Sequence, residues 1–236
     1  MTDLGLSQLS ELDWAGVGEQ LHRWGYATPG RLLDGEQCDE LIDTFDVDER
    51  FRSTVVMSRH AFGEGTYRYF AEPLPPVVRR LRVDLYPPLA EIANRWAEQL
   101  GEPAFPDDLD ELLAMCAHAG QHRPTPLVLC YEAGGYNCLH QDIYGDVAFP
   151  LQVTIMLSTP GVDFTGGENV FVEQRPRAQS RPGVVNLGRG EAVIFATRHR
   201  PVPGARGPKR VTMRHGVSTV HTGRRLALGI IFHNAR

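Results

Sequence analysis

His140 and Asp142 stand one residue apart behind a Gly-Gly turn in "YEAGGYNCLHQDIYGD", residues 131–146. In an extended segment the i, i+2 spacing turns both side chains to one side, so an imidazole nitrogen and a carboxylate oxygen can share one cation. Alone the pair is a weak signal, because nine histidines and fourteen aspartates in this chain give roughly 0.5 chance matches to H-x-D. A metal centre needs a third ligand from far along the chain. "RHGVSTVHTGRRLALGIIFH" offers His215, His221 and His233 on successive extended runs. Two histidines and one carboxylate form the facial set that holds non-haem iron(II) and leaves three positions open for other molecules.

These residues resemble those of the iron(II) and 2-oxoglutarate-dependent oxygenases. In that family H-x-D is followed by a distal histidine opening a late strand, then by a basic residue that grips the far carboxylate of 2-oxoglutarate. The resemblance implies His140, Asp142 and His215 as the catalytic metal ligands, with Arg225 ten residues after His215 as the grip. A guanidinium suits that task because it binds a carboxylate through two parallel N–H bonds. Arg224 and Arg225 would face opposite sides of a strand, so at most one enters the pocket; family spacing selects Arg225, with Arg224 as the alternative. Tyr131, nine residues before His140, stands where AlkB-type nucleobase demethylases carry a tyrosine that also bonds 2-oxoglutarate. Two positions depart from the AlkB pattern: its asparagine and second arginine are replaced here by Ala227 and Ile231. In that respect the cofactor pocket is more similar to that of prolyl hydroxylases.

Longer segments, "GQHRPTPLVLCYEAGGYNCLHQDIYGDVAFPLQV", "DFTGGENVFVEQRPRAQSR" and "RHGVSTVHTGRRLALGIIFHNA", are similar to a bacterial family of predicted oxidative demethylases of damaged nucleic-acid bases. The resemblance implies an α+β fold whose core is a double-stranded β-helix, the cupin-like jelly roll. It also implies Fe(II), the co-substrate 2-oxoglutarate and O2. Decarboxylation of 2-oxoglutarate would drive C–H hydroxylation; at an N-methyl carbon the product would fall apart to formaldehyde and the demethylated amine. Three substrate readings follow: an alkylated nucleobase within nucleic acid; a small molecule or peptidyl side chain, as for prolyl hydroxylases; and, outside enzymes, a non-catalytic β-barrel binding module.

Composition sets the frame for this chemistry. The chain has 236 residues, 42% hydrophobic and 22% charged, enough for one generous domain. No run approaches the length of a membrane span, and "MTDLGLSQLSELDW" lacks the basic and apolar regions of a signal peptide, so a cytoplasmic protein is expected. Cys38, Cys116, Cys130 and Cys138 show no CxxC spacing and read as small buried hydrophobes without disulfides. The net charge of -5 hides an asymmetry: residues 175–236 hold thirteen bases and a single acid, Glu191. That quarter is a candidate surface for an anionic ligand, unless its arginines pair with the acidic remainder.

The elements that must position these residues divide near residue 124. "DWAGVGEQLHRWG" reads as a helix capped by Asp13 and closed by Gly25, and "DGEQCDELIDTF" repeats the pattern from Asp34. Residues 76–101 read as two helices divided at Pro87-Pro88, and "DDLDELLAMCAHAG" as another. Residues 1–124 are therefore expected to form a mainly helical support. From 125 to 236, short apolar runs at 127–132, 150–157, 168–173, 191–196, 210–220 and 225–233 predict a β core within one oxygenase domain.

Loops at the rim of such a barrel carry specificity. Asn137, Tyr144, Arg175, Arg177 and Arg198 are the candidate substrate contacts, with Tyr136 and Arg200 beside them. "FTGGE" predicts a turn in which Gly166 and Gly167 take positive φ, with Glu168 at its edge. His199 reads as a loop residue.

Overall fold

The computed structural model describes Leu9 and residues 11–175, 177–205 and 207–236. Helices form where the sequence supplies both a cap and an apolar stripe. Helix α1 (Trp14–Trp24) is capped by Asp13, whose carboxylate accepts from the Gly16 N–H, and ends at Gly25 in the left-handed region. Helix α2 (Gly35–Thr44) opens on a capping box between Asp34 and Gln37. Helix α3 (Pro76–Leu100) runs 25 residues straight through Pro87 and Pro88, so the expected division into two helices is corrected. Each proline costs a helix interior about 3 kcal/mol. Buried Leu81, Leu85, Leu89, Ile92 and Trp96 recur at helical spacing along the same element. At about 1.5–3 kcal/mol per buried side chain, that stripe outweighs the two prolines. Helix α4 (Leu109–His118) is capped by Asp108.

The first 124 residues are less helical than expected. They also contain β1 (Tyr26–Arg31), β2 (Phe51–Val56), β3 (Gly63–Glu64) and β4 (Thr66–Phe70). The remainder supplies β5 (Leu127–Glu132), β6 (Tyr136–His140), β7 (Leu151–Met156), β8 (Phe164–Gly166), β9 (Asn169–Gln174), β10 (Arg181–Val185), β11 (Glu191–Ala196), β12 (His199–Val202), β13 (Lys209–Val217) and β14 (Val220–Ile231). All six predicted apolar runs correspond to strands. The unpredicted β6, β8, β10 and β12 are short, and β6 and β10 are mostly exposed or half-buried, so they lack the apolar run that marks a covered strand.

The strands form two antiparallel sheets in a mixed α/β architecture. One runs β1-β11-β7-β14-β5-β4-β2, with β8 attached to β14; the other runs β10-β9-β13-β6-β3, with β12 attached to β13. Strands from both sides of residue 124 are therefore interleaved: β1 pairs with β11, β4 with β5 and β3 with β6. A single apolar cluster joins sheet residues such as Phe149, Ile155 and Leu228 to Leu85 and Trp96 of α3 and Leu21 of α1. No helix among the described residues is long and apolar enough to cross a membrane. Cys38, Cys116 and Cys130 are buried as expected, whereas Cys138 on the open strand β6 is exposed.

Candidate active site

Strand register brings the two histidines together. Strands β6 and β13 pair with His140 and His215 directly opposite, their ring centroids 4.2 Å apart. The chain leaves β6 two residues later at Asp142. Its Oδ2 lies 3.1 Å from His215 Nε2 and its Oδ1 3.6 Å from His140 Nε2. One possible ligand atom from each of the three residues lies within 4.8 Å of the others, the single such cluster of three or more histidine, cysteine or acidic groups among the described residues. His221 is exposed on β14 and His233 is buried beyond its end, so neither joins it.

The surroundings favour the forms that bind a cation. His140 Nδ1 donates to the Cys138 carbonyl at 2.8 Å, which orients the ring with Nε2 toward Asp142. Burial, and then the neighbouring His140, push the His215 pKa down and keep its ring neutral. Burial alone would raise the Asp142 carboxyl, but His140, His215 and the Tyr144 hydroxyl together hold it far below the usual carboxylate range. The carboxylate is clamped at both oxygens. Tyr144 donates to Oδ1 at 2.7 Å and is itself held by the Tyr69 hydroxyl at 3.0 Å; Gln152 Nε2 donates to Oδ2 at 2.9 Å. Two imidazoles and one carboxylate, with one possible ligand atom each within 4.8 Å of the others, fit a divalent iron, and the donor chemistry is of the facial type.

The three residues line a cavity of about 310 Å³ between the sheets, whose walls include Tyr67, Tyr69, Leu129, Phe171 and Phe195. Arg225 and Tyr131 enter the same cavity as directly opposed partners on β14 and β5. Arg225 is 1% exposed, donating from Nε to the Gly167 carbonyl at 2.8 Å and from Nη2 to Asn169 Oδ1 at 3.0 Å. No carboxylate among the described residues stands within ion-pair distance of it. Burial lowers its pKa to about 10, so the guanidinium stays charged at neutral pH. A buried cation whose side-chain hydrogen bonds go to neutral oxygens, with the Glu168 carboxylate acting on it only from beyond ion-pair distance, sits on a cavity wall and fits the carboxylate of a bound acid. Gly167 is required behind it: φ is 65°, and a Cβ there would stand 2.7 Å from Arg225 Cδ. Arg224 faces the other side of β14, over the Phe45 ring and 3.5 Å from Asp46.

The other predicted residues separate. Asn137 lines the cavity and donates to the Tyr131 hydroxyl at 3.1 Å. Tyr144 also lines it, with its hydroxyl engaged by Asp142. Arg175, Arg177, Arg198 and Arg200 do not line it: Arg175 and Arg200 pair with Glu173, while Arg177 and Arg198 are exposed elsewhere. Tyr136 is exposed, Glu168 is hydrogen-bonded by Ser218, and His199 sits on β12 rather than in a loop. Gln152, Tyr69 and Asn169 escaped the sequence reading. Gln152 alone left a signal, as a long polar side chain inside the apolar run "PLQVTIML".

Residues 65–235 match a family described as oxygenases catalysing oxidative methylation of damaged DNA. The chain belongs to this family. It is an oxygenase. An uncharacterised protein of Mycobacterium tuberculosis, found in strains CDC 1551 and H37Rv, is 51% identical over 167 residues, 70% of this chain and 72% of its own length. The fold is similar to that of a Pseudomonas putida prolyl-4-hydroxylase (TM-score 0.53, 14% identity, covering 94% of this chain and 99% of the other). A 2OG-Fe(II) oxygenase-family protein from Burkholderia pseudomallei gives TM-score 0.54 at 18% identity, over 95% and 94% of the two chains. A prolyl hydroxylase from Trichoplax adhaerens gives 0.56 at 13%, over 97% and 92%. These solved neighbours are jelly-roll oxygenases.

Proposed function

We propose that this oxygenase oxidises alkyl groups on nucleobases, with His140, Asp142 and His215 as its iron(II) ligands and Arg225 and Tyr131 as its hold on 2-oxoglutarate. The observation that carries the assignment is that a buried guanidinium without a carboxylate partner opens into the same cavity as the His-Asp-His cluster. The two sheets are read as a double-stranded β-helix, and the whole chain as one domain braced by its helices.

Bound iron(II), with 2-oxoglutarate and O2, would supply an oxidant able to convert a C–H bond to C–OH while releasing succinate and carbon dioxide. The chain's own residues set up that event. Tyr144 and Gln152 hold both Asp142 oxygens, so the carboxylate cannot turn away from the histidines. Arg225, aimed by Gly167 and Asn169, fixes the far end of the diacid, and the Tyr131 hydroxyl, oriented by Asn137, adds a second donor. Phe171, Phe195 and Leu129 exclude water from the space between. An N-methyl carbon hydroxylated there would leave as formaldehyde.

A second reading, hydroxylation of a small molecule or peptidyl side chain, is favoured by Ala227 and Ile231. Both line the cavity at the positions where AlkB-type enzymes place polar side chains, which makes this wall apolar.

The test begins with anaerobic Fe(II) and 2-oxoglutarate titration, following the weak visible absorption of the chelate. Formaldehyde release is then compared between N-methylated single-stranded oligonucleotides and methylated or proline-containing peptides. Salt-sensitive turnover on oligonucleotides supports the first reading, since phosphate contacts release counterions. Succinate formation with peptides or small molecules alone supports the second. Binding that survives Asp142→Ala without any turnover in the parent protein would make the fold a binding module.

A further inference from the structure

A second cavity, of about 1000 Å³, lies between α1, α3 and β12 and shares no lining residue with the one containing His140. Its walls are strongly cationic. Arg23, Arg95, Arg175 and Arg200 line it together with His22, and Glu19 is the single carboxylate among the lining residues. The floor is apolar, formed by the buried side chains of Ile92, Trp96 and Val202.

Internal pairing leaves this cationic excess uncompensated. Arg175, Arg181 and Arg200 all converge on one carboxylate, Glu173, whose side chain is 2% exposed. Arg200 is itself 1% exposed, and its Nε is buried without a hydrogen-bond partner. Its Nη1 and Nη2 take the His22 and Arg23 carbonyls at the end of α1. Arg23 and Arg95 are exposed and have no ion-pair partner among the described residues; Arg23 lies over the Trp24 ring at 4.6 Å. The arginines of the basic C-terminal quarter thus meet two unpaired arginines of the acidic part at one cleft.

We infer that this cleft binds a phosphorylated ligand, its phosphate held by the Arg23 and Arg95 guanidiniums and its apolar part covering Trp96 and Ile92. Guanidinium forks match phosphate oxygens, and a concave wall of one sign concentrates anions before contact. The phosphate could belong to a free nucleotide or to a nucleic-acid strand; in the second case the cleft would hold backbone away from the reacting base.

The experiment uses the full-length protein, with ATP, inorganic triphosphate and a short single-stranded oligonucleotide as separate probes, and measures affinity over a salt series. The comparison variant is the double substitution Arg23→Glu/Arg95→Glu. Both positions are exposed, and an unchanged Fe(II)–2-oxoglutarate absorption confirms that the fold and the other cavity are intact. At least about a tenfold loss of affinity in the variant is expected, from losing charge-assisted hydrogen bonds. For the strand, the salt slope should also fall by about two. Loss confined to ATP and triphosphate identifies a free-ligand site, and loss confined to the oligonucleotide identifies a strand contact. Absence of binding by all three probes, or binding that the double substitution leaves unchanged, overturns the inference.

Discussion

Two guanidiniums are buried to the same degree in this molecule and do opposite things. Arg200 and Arg225 are each 1% exposed. Arg200 meets Glu173, which is buried with it, and ties the end of α1 to the sheet; its countercharge belongs to the protein. Arg225 meets the Gly167 carbonyl and the Asn169 amide oxygen, both neutral, and faces a cavity. Burying an ion is tolerable only when something compensates it. For Arg200 a protein carboxylate, shared with Arg175 and Arg181, is in place when the chain folds, and for Arg225 the countercharge arrives with a ligand. His233 is a third case: it is fully buried, accepts the Phe149 N–H at Nδ1, and avoids the cost by losing its proton, its pKa pushed down to about 4 by burial.

Substitutions can pull these cases apart. The largest effect is expected from Asp142→Ala, which should take turnover below detection and lower Fe(II) affinity by more than about a hundredfold, with little change in thermal midpoint. Glu173→Gln should do the reverse. It strands the Arg200 charge and should cost about 3–5 kcal/mol in urea unfolding, while the folded fraction binds 2-oxoglutarate normally. If Glu173→Gln leaves stability intact, the contrast between the two arginines fails.

His233 makes stability depend on pH. Its unfolded form takes a proton near pH 6.5 and its folded form near 4. Protonation therefore favours unfolding between those values. This contribution is complete above pH 6.5 and declines as the pH falls toward 4, by about 3 kcal/mol in all. Urea midpoints measured across that window should flatten in His233→Gln.

Arg225→Met should raise the dissociation constant for 2-oxoglutarate by about a hundredfold, the worth of a charge-assisted pair, without lowering the thermal midpoint. A large loss of stability there would place Arg225 in the same class as Arg200. The smallest effects belong to Tyr144→Phe and Gln152→Leu, each expected to weaken Fe(II) binding by about 10–100-fold in anaerobic titration, through a carboxylate freed at one oxygen.

Much of this was legible before folding was considered. H-x-D was readable from strand spacing as a possible ligand pair, whereas the choice of His215 among three histidines and of Arg225 ten positions later rested on the family resemblance. The apolar runs marked the covered strands because burial on both faces leaves a continuous signature. What escaped depends on contacts between distant segments. Tyr69 reaches Tyr144 only because β4 lies beside β5. The direction of Arg200 is decided by Glu173 on another strand, so its charge was readable and its role was not. Pro87-Pro88 obeyed a local rule that tertiary burial overrode.

Strands β13 and β14 belong to different sheets yet are separated in sequence by Ser218 and Thr219 alone. His215 lies on the first and Arg225 on the second, so one two-residue link spans the gap between the sheets like the pivot of a caliper. On the proposed assignment that opening measures the length of the acid held between them. Inserting residues between Val217 and Val220 would then reset the gauge rather than merely loosen a turn.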